Sequence, residues 1–172
     1  MKIGLFRLTI GLLFLGLSGV SYAQGSQTSH TAAHNTEVTL KDYGAEPTVL
    51  DIDAHALSND NFRLALWTGT KLQVTLMSIP VGGEIGLEQH GETDQFLRIE
   101  DGQGKVMMGD TKESLTFIRK AGKDFAIIIP AGKWHNLINT GDKPLKLYSI
   151  YAPVEHPHGT VHKTFEEEGH QH

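Results

Sequence analysis

From residue 62 to residue 151 the chain runs in short apolar or alternating stretches, each ended within a few residues by glycine, proline or asparagine. Residues 62–68, 72–79, 95–100, 105–109, 125–129, 135–139 and 145–151 have the length and β-branched content of strands, and a further short strand falls inside 110–120. Gly69-Thr70, Asp101-Gly102-Gln103-Gly104, Gly122-Lys123-Asp124 and the cluster 139–144 supply the turns. No stretch sustains the 3.6-residue apolar period of a long helix. A chain punctuated this often can bury its apolar faces only by stacking or closing sheets. It is therefore expected to be all-β, a jelly-roll or double-stranded β-helix barrel. The run 125–129 is expected to be a buried strand, 38–53 to give one or two edge strands around a 44–47 turn, and 54–61 one helical turn.

Chemistry concentrates at two places in this pattern. Glu88 and His90 are two apart and share one face of an extended segment. Gln95 opens the next strand and shares its face with Leu97 and Ile99, while Asp94 shares the opposite face with Phe96 and Arg98. Much later, His135 follows the turn Pro130-Ala131-Gly132. Two imidazoles, one carboxylate and one amide oxygen make a four-ligand set for a divalent ion. Asp94 is the rival to Gln95, because a carboxylate binds divalent ions better than an amide. The inward row containing Leu97 and Ile99 favours Gln95.

The spacing of these residues resembles the two motifs of the cupins. Gly82, Glu88, His90, Gln95 and Gly102 fall at the positions of the first motif, and Asp124, Pro130, Gly132, His135 and Asn139 at those of the second. The resemblance covers roughly 64–153 and looks like small single-domain bacterial cupins, many of which carry a mannose-6-phosphate isomerase-like name. It implies a barrel with one metal ion in its mouth, held by Glu88, His90, Gln95 and His135. Three positions depart from the usual pattern. Glu88 stands where a His is usual, Gln95 where a Glu is usual and Asp124 where a Gly is usual. The first two departures offset each other in charge, so an ion meets one negative ligand either way. Manganese, iron, zinc or nickel would suit the donor set.

The ends read differently. Residues 1–23 have a basic start, an apolar run and small residues before Gln24, the composition of a secretory signal peptide cleaved after Ala23. Residues 24–36 form a polar leader, 37–165 the cupin domain and 166–172 a His- and Glu-rich tail that is expected to be solvated. Residues 159–164 are expected to lie over the sheet or to exchange with a second subunit. The chain has no cysteine, so disulfides and thiolate ligands are excluded. A net charge of −5 argues against a nucleic-acid partner. The expected location is periplasmic or secreted, with no membrane anchor after cleavage. The resemblance allows a homodimer, for which an edge near 38–53 would serve.

Three functions fit. One is a metal-dependent isomerase or lyase acting on a small carbohydrate-like or carbonyl substrate. A second is an Fe(II)- or Mn(II)-dependent oxidoreductase of dioxygenase type. A third is a non-catalytic small-molecule binding or sensing module. Glu92 and Asp94, in the turn beside the ligands, are the expected candidates for a general base.

Overall fold

The computed structural model describes residues 37–169, so the expected signal peptide, the leader and the last three residues lie outside the described part. One short helix, α1 (Ile52–Ser58), precedes nine strands: β1 (Arg63–Thr68), β2 (Gln73–Ile79), β3 (Asp94–Asp101), β4 (Gln103–Gly109), β5 (Phe117–Gly122), β6 (Ala126–Ile129), β7 (Trp134–Asn139), β8 (Leu145–Ala152) and β9 (Val161–His162). They form two antiparallel sheets, a six-stranded one ordered β6-β3-β8-β2-β1-β9 and a three-stranded one ordered β5-β4-β7. This is the expected double-stranded β-helix.

Register explains where the polar end lies. Across three neighbouring strands, Met77, Leu147 and Ile99 form one row, Thr75, Ser149 and Leu97 the next, and Gln73, Tyr151 and Gln95 the last. All nine are buried. The inward faces therefore grade from hydrocarbon at one end of the barrel to hydrogen-bonding groups at the other. β7 repeats the grading with Leu137 and His135, both buried. The apolar end joins Met77, Ile79, Leu97, Ile99, Val106 and Leu137 in one core, which carries the hydrophobic stabilisation.

A second apolar cluster lies against Leu64, Leu66 and Leu76, where Ala56 of α1 packs and Leu40, Tyr43 and Leu50 reach in. Here the expectation of edge strands at 38–53 fails. Asp51 caps α1 by accepting the amide of Ala54, and 37–50 forms no strand. The cap and the Gly44 turn outcompete a short alternation that has no sheet edge to join. The edge that was to serve a homodimer is thus absent from 37–50. Residues 125–129 also differ from expectation. β6 is an outer strand, with Ile127 and Ile129 buried but Phe125 and Ile128 more than half exposed. Asp124, at the usual glycine position, takes a positive φ of 70°. Aspartate tolerates that region better than most residues, and its carboxylate accepts from Arg98 at 2.7 Å.

The segment after β8 doubles back over the barrel mouth. β9 adds to β1, pairing Val161 with Leu64 and His162 with Arg63. Glu166–Glu168 make a 3-10 turn, and Glu168 Oε1 lies 2.6 Å from Arg63 Nε. Asp42 pins the same segment by accepting from Thr68 Oγ1, Gly44 N and Gly159 N. Burial opposes ionisation of Asp42, but these hydrogen bonds and the nearby His158 hold its carboxyl below the ordinary 3.8. A depressed folded-state pKa gives stability that is complete above 3.8 and is lost as pH falls through the lowered value. Asp42→Asn is therefore expected to cost about 1–2 kcal/mol at neutral pH. The gap to wild type should close in urea melts made well below pH 3.8.

Candidate metal centre

Glu88 and His135 are fixed before any side chain is considered. Glu88 N donates to His135 O at 3.0 Å and His135 N to Glu88 O at 2.9 Å, so the two residues face each other as an antiparallel pair. Ile85 N donates to Leu137 O, which extends the pairing of 84–88 along β7. His90 follows on the same face as Glu88, and its carbonyl is held by Gly132 N at 2.8 Å. Gly132 has a φ of 78°, the left-handed turn that brings the chain into β7.

The donor atoms of Glu88, His90 and His135 lie within 4.8 Å of one another, and all three residues are buried. His135 Nδ1 sits 2.9 Å from the Lys133 carbonyl. A carbonyl only accepts, so Nδ1 carries the proton and Nε2 keeps its lone pair. His90 Nδ1 sits 3.1 Å from Glu155 Oε1, the carboxylate–histidine arrangement that orients metal-binding imidazoles. Thr93 Oγ1 in turn donates to Glu155 Oε2 at 2.9 Å. Both Nε2 atoms consequently face Glu88 Oε1, at 3.3 Å from His90 and 3.2 Å from His135. Three electron-rich atoms at that separation need extra protons or one cation between them. Two donors each ~2.1 Å from a single ion, at right or tetrahedral angles, lie about 3.0–3.4 Å apart. The observed spacings fit that geometry.

Gln95 is buried on the inner row of β3, opposite Tyr151. Its Nε2 donates to Ser149 Oγ at 3.1 Å, whereas Oε1 is buried without a hydrogen-bond partner. A buried carbonyl oxygen left in that state costs free energy unless something positive meets it. The chemistry of Gln95 thus fits a fourth ligand. Asp94 does not share this place. It is exposed, and its Oδ1 accepts from Ala131 N at 2.9 Å. Glu92 is exposed as well, so neither expected base lines the cavity.

The electrostatics follow from the crowding. Burial works against a charged Glu88, but the two imidazoles and Arg63 outweigh it and hold the carboxyl well below the usual carboxylate range. Burial also disfavours a charged His90, and the carboxylates of Glu88 and Glu155 more than offset it, raising its affinity for a proton. Tyr151 stands beneath His90 with ring centroids 5.6 Å apart, and burial pushes its phenol up to about 12.

Sequence reasoning missed the residues after β8. Glu155, His156, His162 and Glu168 line a cavity of about 430 Å³ together with Glu88 and His90. A His- and Glu-rich end looks solvated by composition. The signal that could have placed it was the ordered character of 159–164.

An all-β barrel of two antiparallel sheets, with two imidazoles and a carboxylate gathered at its mouth, defines a class of small barrels whose polar end could hold a metal ion. The cupin domain family matches residues 75–151, and the chain belongs to the cupins. It is 59% identical over 125 residues to the uncharacterized protein YrkC of Bacillus subtilis, a match that spans 73% of this chain and 67% of that one. The crystal structure of BH2720 from Bacillus halodurans is similar at 56% identity and a TM-score of 0.74, covering 74% of this chain and 97% of that one. An uncharacterized conserved double-stranded β-helix protein of Klebsiella pneumoniae shares the fold, with 15% identity and a TM-score of 0.52 over 69% of this chain and all of that one.

Proposed function

We propose that this chain is an exported, mononuclear divalent-metal cupin that acts on a small carbohydrate-like or carbonyl compound by isomerase- or lyase-type chemistry. The observation that carries the reading is the convergence of two oriented imidazole nitrogens on one carboxylate oxygen. Glu88, His90 and His135 would hold the ion, with Gln95 Oε1 as the fourth donor. A bound divalent ion would polarise a carbonyl or hydroxyl oxygen of the substrate. The chain's own part is to orient. Glu155 and the Lys133 carbonyl keep both Nδ1 protons in place, and the segment after β8 supplies part of the cavity lining. The composition of residues 1–23 supports export to the periplasm or medium.

The test is hydrogen exchange in deuterated water. Protein reconstituted with manganese or zinc should place deuterium beside the carbonyl of a neutral aldose or ketose, read by proton NMR, and metal-free protein should not. Two histidines with one carboxylate also match the facial set of Fe(II) oxygenases. Turnover that consumes oxygen with Fe(II) and stops with Zn(II) would replace the isomerase reading with an oxidoreductase one. Ligand binding without turnover under any metal would leave a binding module.

A further inference from the structure

Two glutamines stand in one inward row, on either side of Tyr151, and they are held in different ways. Gln73 is used at both ends of its amide. Its Oε1 accepts from His156 N at 2.9 Å, and its Nε2 donates to His156 O and to Thr68 Oγ1. Gln95 is used at one end alone. Its Nε2 donates to Ser149 Oγ at 3.1 Å, and its Oε1 is buried with no hydrogen bond. The two ends of an amide have nearly the same shape, so its direction is set by what meets them. Ser149 meets the nitrogen because its own proton is used elsewhere. Arg63 donates to the Tyr151 hydroxyl. Burial dominates the Tyr151 phenol, and Arg63 and a hydrogen bond with Ser149 act against it by favouring the phenolate. A contact that favours the phenolate is one donated to its oxygen. The Ser149 proton therefore points to Tyr151 and leaves the Ser149 lone pairs for Gln95. The hydroxyl across from Ser149, Thr75 Oγ1, is buried without a partner and does not compete. Turned end for end, the Gln95 amide would set oxygen against oxygen at Ser149 and aim its Nε2 protons where a cation repels them.

Resting on the metal-cupin reading, we propose that Ser149 is a positioning residue: its hydroxyl, backed by Tyr151 and Arg63, holds the Gln95 amide so that the oxygen and not the nitrogen faces the ion. Ser149 acts on the ion only through Gln95. A carboxylate in place of that amide needs no such guide, because either of its oxygens can bind, and this difference supplies the test. Affinity for zinc, by competition with a chromogenic chelator at neutral pH, is measured for wild type, Ser149→Ala, Gln95→Glu and the double variant.

Ser149→Ala should bind zinc about tenfold more weakly than wild type, the worth of one hydrogen bond. Ser149→Cys keeps the size of the side chain with a weaker acceptor and should fall between the two. In the Gln95→Glu background, Ser149→Ala should change the affinity by less than about twofold, because the interaction it removes is no longer needed. In amide NMR spectra of metal-free protein, the Gln95 side-chain signal, assigned by its loss in Gln95→Glu, should exchange with water faster in Ser149→Ala than in wild type. The proposal is overturned if Ser149→Ala binds zinc as tightly as wild type, if that exchange is unchanged, or if the substitution loses the same factor in both backgrounds, which is what a loosened core would give. A wild type that takes up no zinc overturns the metal reading itself, and this proposal with it.

Discussion

Glu88→Ala and His135→Ala proteins, purified without a histidine tag, should each retain only a small fraction of the metal found in wild type by elemental analysis. The reason is geometric. Glu88 Oε1 is the point on which both Nε2 atoms converge, so its removal deletes the single negative ligand and leaves two imidazoles without a common partner. Loss of His135 removes the donor whose backbone is paired directly with Glu88. Gln95→Ala should weaken binding less, because a neutral amide contributes less to holding a divalent ion than a carboxylate does. Asp94→Ala should leave metal content unchanged, since that carboxylate is engaged with Ala131 N on the surface. Full metal in both the Glu88 and His135 variants would remove the site.

Arg63→Ala should destabilise the protein by about 3–5 kcal/mol, the usual cost of removing one partner from a buried ionic cluster. The Arg63 guanidinium is fully buried and is held by Glu168 Oε1 and the Tyr151 hydroxyl, while Glu88 lies close enough to act on it through charge. Burial opposes its charge, yet these neighbours raise its hold on the proton above the ordinary value. Deleting it strands the Tyr151 hydroxyl and removes the positive charge that pairs with Glu168 and acts on Glu88. Arg63→Lys should fall between wild type and alanine, because a lysine has no fork with which to meet two partners at once. Urea melts of the three proteins give the order. An alanine variant as stable as wild type would mean that the segment after β8 is not tied to the barrel through this residue.

Much of this architecture was legible in the chain. The alternation at Gln95, Leu97 and Ile99 correctly marked an inward row, because a one-residue shift would have exposed two core side chains. The i, i+2 spacing of Glu88 and His90 correctly put them on one face, and the turn at Pro130 to Gly132 correctly delivered His135 to meet them. What could not be read was set by competition at longer range. At 38–53 a helix cap at Asp51 outweighed a weak alternation. The four-residue β6 looked buried because isoleucine dominates it, yet its place at the sheet edge leaves Ile128 facing solvent. Glu155, His156, His162 and Glu168 sit far from the two motifs in sequence, and composition alone says nothing of a strand that returns to pair with β1. Arg63 gave no sign of burial either, since its partner Glu168 lies at a distance of 105 residues.

The reciprocal backbone pairing of Glu88 with His135 has a kinetic consequence. An ion arriving at this mouth does not have to gather its ligands from a floppy chain, so little ordering entropy is spent on capture. Exchange of one ion for another is then governed by how fast the ion sheds water and by local supply. A barrel assembled on its hydrocarbon end would keep its shape through such an exchange, and the identity of any ion held there would be a matter of the surroundings as much as of the fold.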